Sequence, residues 1–165
     1  MHKILTLNNI SVAGLERLPR DSYEVASEMS HPDAILVRSA KMHDMAVPDS
    51  LKAIGRAGAG VNNIPVPEMT KRGIAVFNAP GANANAVKEL VLAGMLMAAR
   101  NIGPAWDFAR GLAGADAEIH KAVEAGKKQF VGYELPGRTL GVIGLGAIGV
   151  KVANAAQALG MRVIG

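Results

Sequence analysis

Gly144, Gly146 and Gly149 stand in the spacing G-x-G-x-x-G. Arg138 to Ile143 before them has the pattern of a strand. Val150 to Leu159 after them reads as an Ala-rich helix, and Arg162-Val163-Ile164 opens another strand. A lone glycine triplet is weak evidence, but one that closes a strand and opens a helix within a βαβ unit of about 30 residues marks a dinucleotide-binding turn. Each glycine then has a separate task. Gly144 allows the tight turn, Gly146 lets the backbone approach a pyrophosphate, and Gly149 lets the helix pack closely on the strand. The N–H groups of Ala147 and Ile148 at the helix start would face the phosphates, where the helix dipole favours negative charge. The plain alternative is a glycine turn without a ligand. A mononucleotide P-loop is excluded, because no Lys-Ser or Lys-Thr follows the glycines.

Little else in the chain could do chemistry alone. There is no cysteine, so disulfides, thiolate nucleophiles and cysteine-based zinc sites are out. No metal site and no pair of carboxylates suggestive of acid–base work stands out. The fingerprint also calls for an Asp or Glu about 20 residues on, to bond the ribose hydroxyls. That position falls at the end of the sequence, so these residues do not carry the choice between NAD and NADP. The second βαβ unit has barely two strands, and the expectation is a piece of a longer protein.

The elements that must position this turn alternate along the chain. Strands are expected at Lys3–Leu7, Tyr23–Ala26, Asp33–Val37, Leu51–Ile54 and Ile74–Phe77, with helical lengths between them. Such alternation argues for a parallel α/β sheet. Val87, Leu90, Val91, Gly94, Met95 and Ala98 recur at helical period and predict one apolar helix face, with Asn83 or Asn85 as its cap. Asn101-Ile102-Gly103-Pro104 then interrupts the chain, and a domain boundary is placed near residue 101. Ala105 to Lys127 reads as helical, broken at Gly111 and Gly114. Half the residues are hydrophobic and only 4% aromatic, so the core must rest on Ala, Val, Ile, Leu and Met. The net charge of +4 comes from scattered residues with no basic stripe, which speaks against nucleic acid and suits small anions. The longest apolar run, Leu90–Ala99, is about half a membrane span. A cytoplasmic protein is the expectation.

Four separated segments carry a family resemblance. They are Leu36-Val37-Arg38-Ser39-Ala40, Gly55 through Ile64, Phe77-Asn78-Ala79-Pro80-Gly81-Ala82-Asn83 through Val91, and Gly137 through Gly146. In order and spacing they resemble the D-2-hydroxyacid dehydrogenases, and within that family the members acting on 3-phosphoglycerate. The resemblance implies a flavodoxin-like parallel-sheet substrate domain over residues 1–100, lacking its C-terminal return. The start of a Rossmann NAD-binding domain follows over 101–165. It implies NAD as cofactor, a phosphorylated hydroxyacid as substrate, no nucleic acid or membrane partner, and a homodimer or higher oligomer when intact.

It also implies roles for particular residues. Arg38 and Ser39 match positions near the substrate phosphate, which fits the paired donors of a guanidinium at a strand end. Ala59, Gly60 and Val61 match the turn whose N–H groups hold the substrate carboxylate, and Ala59 also matches a position near the cofactor. Asn83 matches a substrate-side asparagine, with a helix cap as the alternative. Many relatives have Asp at Asn62, and Arg or His at Ala147; Ala147 keeps its N–H but offers no side-chain contact. The family's catalytic Arg, Glu and His lie later than residue 165. His2, His31, His43 and His120 do not match that histidine. The 165 residues alone are therefore expected to show no turnover. The intact protein would oxidise 3-phosphoglycerate to 3-phosphohydroxypyruvate, a step of serine biosynthesis. Two alternatives stay open: another 2-hydroxyacid dehydrogenase acting on glyoxylate, lactate or formate, and a non-catalytic NAD-sensing module.

Overall fold

Short apolar runs bounded by polar residues suit a parallel sheet, and five of them form one here. A computed structural model describes all residues 1–165 and resolves them into two compact units, Met1–Ala82 and Asn83–Gly165. In the first unit, β1 (His2–Leu7), β2 (Tyr23–Ala26), β3 (Ala34–Val37), β4 (Ala53–Arg56) and β5 (Ala75–Phe77) form one sheet in the order β2-β1-β3-β4-β5. Every pairing is parallel, with Ile4 beside Ala34, Ile35 beside Ile54 and Ile54 beside Val76. This is the flavodoxin-like order expected from the sequence. In such sheets ligands bind beyond the carboxyl ends of the strands, where the strand order reverses. Here the reversal lies between β1 and β3.

The core is aliphatic, as the composition requires. Ile35, Val37, Ile54 and Met42 are fully buried and pack with Leu5, Leu51, Ile64, Met69 and Ile74. Met69 comes from α2 (Val66–Lys71); α1 (Val12–Leu15) is a single turn that buries nothing. The amino ends of the strands are tied by Asp33. Its backbone N–H donates to Lys3 O at 2.8 Å, and its carbonyl accepts from Lys52 N–H at 2.8 Å. Its carboxylate accepts from Lys3 N–H at 2.9 Å and from Lys52 Nζ at 2.7 Å. The Lys52 ammonium and then the Lys3 N–H hold the Asp33 carboxyl down to about 2, from an ordinary 3.8.

One strand is displaced from its expected place. Leu51–Ile54 was expected to end at a Gly55 turn, yet β4 runs through Gly55 and Arg56. Gly55 is in the sheet, where a Cβ would stand 2.9 Å from Leu36 Cδ2. A side chain there would have to move the end of Leu36, and the turn begins at Ala57.

In the second unit, α3 (Ala84–Ala99) packs on α6 (Gly149–Ala158). Between them lie α4 (Ile102–Arg110), α5 (Asp116–Gly126), a 3₁₀ turn over Lys127–Phe130 and β6 (Thr139–Gly141). The last strand, β7 (Arg162–Ile164), pairs with β6 in parallel. The break between α4 and α5 falls at Gly111–Ala115, as the glycines indicated. The units divide between Ala82 and Asn83, whereas the boundary was placed near residue 101, after α3. The contacts of α3 with α6 and α4 put it in the second unit. The expected apolar face of α3 is also only half right. Val87 and Met95 are half-buried, but Leu90, Val91, Gly94 and Ala98 are exposed, and Ala84 and Ala99 are the buried positions. A helix apolar on every side does not specify its buried face by period alone.

Candidate functional site

The carboxyl ends of β1, β3, β4 and β5 release four loops, and three asparagines lace these together. Asn8, directly after β1, takes φ 70°, a left-handed conformation that Asn tolerates better than most residues. Its Oδ1 accepts from Ser39 N–H at 2.9 Å and Ala40 N–H at 2.6 Å, with Ser39 Oγ at 3.4 Å. Asn63 is nearly buried, at 9% exposure. Its Nδ2 donates to Ala40 O at 2.8 Å, and its carbonyl accepts from Met42 N–H at 2.9 Å. Asn78, after β5, donates from Nδ2 to Ala59 O at 2.8 Å, and Ala79 N–H donates to Gly58 O at 3.0 Å. The Arg38–Ser39 loop and the Ala59–Val61 turn thus belong to one hydrogen-bonded rim.

That rim presents donors. Arg38 and Ser39 are exposed at the end of β3. Arg38 forms no ion pair; the salt bridges of the first unit are Lys52–Asp33 and Arg72–Asp49. The N–H groups of Ala59, Gly60 and Val61 donate to no backbone carbonyl. Arg56 lies behind the turn, with its Nε buried and without a partner. Gly58 has φ 149°, in the range that favours glycine, and a Cβ there would also displace the end of the Arg56 side chain. Leu36, Arg56, Phe77 and Asn78 line a cleft of about 200 Å³ beside it. A larger groove of about 660 Å³ lies elsewhere, against α1 and β2, with Val12, Leu15, Pro19 and Tyr23 among its walls. It contains none of the rim residues. A guanidinium without an ion pair, a hydroxyl and unpaired N–H groups are the donor set that could accept an anion.

The second unit holds the glycine turn. Gly144 has φ 92°, as a tight turn needs. A Cβ at Gly149 would overlap the Gly144 carbonyl oxygen, whereas one at Gly146 would meet nothing within 4 Å. The N–H groups of Ala147 and Ile148 donate to no backbone carbonyl, and α6 begins at Gly149. A conformational glycine, an open glycine and a packing glycine ahead of a ten-residue helix fit a pyrophosphate.

Asn83 is at the N-cap position of α3 but makes no side-chain capping bond, and it is exposed. Asn85 lies inside the helix and donates to Glu89 at 2.7 Å. No group of three or more His, Asp or Glu is arranged to hold a metal ion. No helix is long and apolar enough to cross a membrane. Sequence reading missed the lacing by Asn8, Asn63 and Asn78. The available signal was an Asn directly after a strand, at Asn8 and Asn78, where a side chain can satisfy loop backbone.

The profile of the D-isomer specific 2-hydroxyacid dehydrogenase family, catalytic domain, matches residues 4–161. The chain is 43% identical over 145 residues to the D-3-phosphoglycerate dehydrogenase of Methanocaldococcus jannaschii, covering 86% of this chain and 26% of that protein. It is 37% identical over 180 residues to the D-3-phosphoglycerate dehydrogenase of Synechocystis sp., covering 99% of this chain and 30% of that protein. The chain therefore spans less than a third of the length of these relatives. Among solved structures, the TT0316 protein from Thermus thermophilus superposes with a TM-score of 0.79 at 27% identity, over 98% of this chain and 54% of that one.

Proposed function

From the premise that this chain belongs to the D-isomer specific 2-hydroxyacid dehydrogenase family, we propose that it supplies substrate-binding loops and the first cofactor turn of an NAD-dependent oxidoreductase. The substrate is a phosphorylated 2-hydroxy acid, 3-phosphoglycerate, and the enzyme a cytoplasmic homodimer or higher oligomer. The sheet unit Met1–Ala82 serves the substrate, and the unit Asn83–Gly165, which includes α3, begins the cofactor domain. The observation that carries this is Arg38, a cation without a carboxylate partner, exposed beside Ser39 at the switch point of the sheet. The names of the relatives above support the substrate.

In this reading Arg38 and Ser39 hold the phosphate. The N–H groups of Ala59, Gly60 and Val61 hold the carboxylate, with Asn83 on the substrate side and Ala59 also near the cofactor. The turn through Gly144, Gly146 and Gly149 admits the pyrophosphate, and the Ala147 and Ile148 N–H groups donate to it. NAD, when bound, supplies the acceptor for the hydride from C2 of the hydroxy acid. The residues named here bind and orient, and none of them is assigned the proton transfer. Two titrations by calorimetry test the reading. 3-Phosphoglycerate should bind more tightly than D-glycerate, and equal affinity would remove the phosphorylated substrate. NAD should bind, and Gly146→Val should weaken it without unfolding the turn, since a side chain there meets open space. Unchanged NAD affinity in Gly146→Val would remove the assignment of that turn.

A further inference from the structure

Asn8 has no place in the function just described, yet its oxygen is the most heavily used side-chain acceptor on the rim. Two consecutive N–H groups, those of Ser39 and Ala40, point at Oδ1. The Ser39 hydroxyl adds a longer contact. Two consequences follow. The Ser39 and Ala40 N–H groups are already committed, and the Ser39 hydroxyl makes only a long 3.4 Å contact to the same oxygen, so the donors this loop can turn to a ligand include the Arg38 guanidinium and, by rotating away from Asn8, the Ser39 hydroxyl. The path of the loop beyond β3 is fixed from β1, across the switch point, by an uncharged group that leaves the Arg38 charge unneutralised. Asn63 holds the same peptide segment from its other side, through Ala40 O. The loop is therefore held at its N–H groups by one asparagine and at a carbonyl by another.

We propose that Asn8 is a positioning residue for anion recognition. It does not touch the substrate; it holds the Arg38–Ser39 loop in the shape that presents a guanidinium and a hydroxyl to one phosphate group. This rests on the reading of Arg38 and Ser39 given above. A held loop does not have to be ordered when the ligand arrives, so removing the clamp weakens binding although no ligand contact is lost.

The left-handed φ of Asn8 decides the variants. Asn8→Ala would mix loss of the acceptor with backbone strain. Asn8→Gly adopts φ 70° freely and removes only the carboxamide. Asn8→Asp keeps an acceptor oxygen for the same N–H groups. The probe is inorganic phosphate titrated into the 165-residue chain, followed by amide chemical shifts and by hydrogen exchange at Ser39 and Ala40. In the wild type, phosphate should shift the signals of Arg38 and Ser39. In Asn8→Gly, phosphate should bind about tenfold more weakly or worse. Exchange at Ser39 and Ala40 should rise by about tenfold, while shifts at Lys3, Asp33 and Lys52 stay in place. Asn8→Asp should restore the slow exchange. A phosphate response in Asn8→Gly equal to wild type would overturn the proposal, as would fast exchange in Asn8→Asp. Absence of any phosphate response in the wild type would remove the phosphate reading of Arg38, and this proposal with it. Loss confined to Asn8→Gly supports both.

Discussion

The two ends of the five-stranded sheet solve the same problem with opposite chemistry. At the amino ends of the strands, Asp33 ties β1 to β4 through a carboxylate, and the partner is a lysine. At the carboxyl ends, Asn8, Asn63 and Asn78 tie the loops with neutral amides. Arg38 there is left without a counter-charge. Both ends are held by hydrogen bonds, but only the amino end uses a charged side chain as the tie. A sheet end that needs only stability can neutralise its charges. One that must receive an anion cannot, because an internal carboxylate would compete for the guanidinium. Neutral lacing is the arrangement that fixes loops and leaves a cation free.

The sharpest way to break this contrast is Arg38→Ala. Loss of a charge-assisted hydrogen bond of about 1.5–3 kcal/mol should cost roughly 10- to 100-fold in 3-phosphoglycerate affinity. D-Glycerate affinity and the melting temperature should hardly move. Calorimetry with both ligands checks this, and an equal loss for both would mean that Arg38 does not read the phosphate. Next comes the lacing. Asn63→Ala removes a nearly buried donor and leaves Ala40 O unpaired, so urea unfolding should show a loss of about 1–3 kcal/mol. A stability equal to wild type would show the rim to be held by other contacts.

The smallest effect belongs to the opposite end. The Asp33 carboxyl is held below its ordinary value. Its contribution to stability is therefore complete above that ordinary value and is lost as pH falls from about 4 through about 2. Asp33→Asn should be slightly less stable than wild type at neutral pH. The gap should close on acidification through that window, with phosphate binding unaffected at any pH where the fold is intact. Thermal melts of the two proteins from about pH 7 to about pH 2 would show it. A gap that persists at the acid end of that range would contradict the role given to the carboxylate.

Much of this was legible beforehand, for reasons that can be named. β2 and β7 lie at the residues read from the sequence, Tyr23–Ala26 and Arg162–Ile164. The glycine turn was legible because its three glycines stand at the fingerprint spacing between a strand and a helix, and the structure gives them a positive-φ, an open and a crowded position. β4 was ended too early because Gly55 looks like a turn residue, whereas it stands within the strand beside Leu36 of β3. The face of α3 was misread because Leu90, Leu96 and Met97 make all its sides apolar, and all three are exposed. The partners of the lacing asparagines were harder to read, for a different reason. Asn8 and Ser39 are 31 residues apart, and nothing in either neighbourhood says that β1 and β3 will be adjacent.

The claim that the carboxyl ends of the strands receive a phosphorylated substrate is tested most directly by mapping amide shifts while 3-phosphoglycerate is titrated into the chain. The account predicts movement at Arg38, Ser39 and Ala59–Val61, with Lys3, Asp33 and Lys52 silent, and a weaker response with D-glycerate confined to Ala59–Val61. Shifts centred on the Asp33 end, or the same map from both ligands, would contradict it.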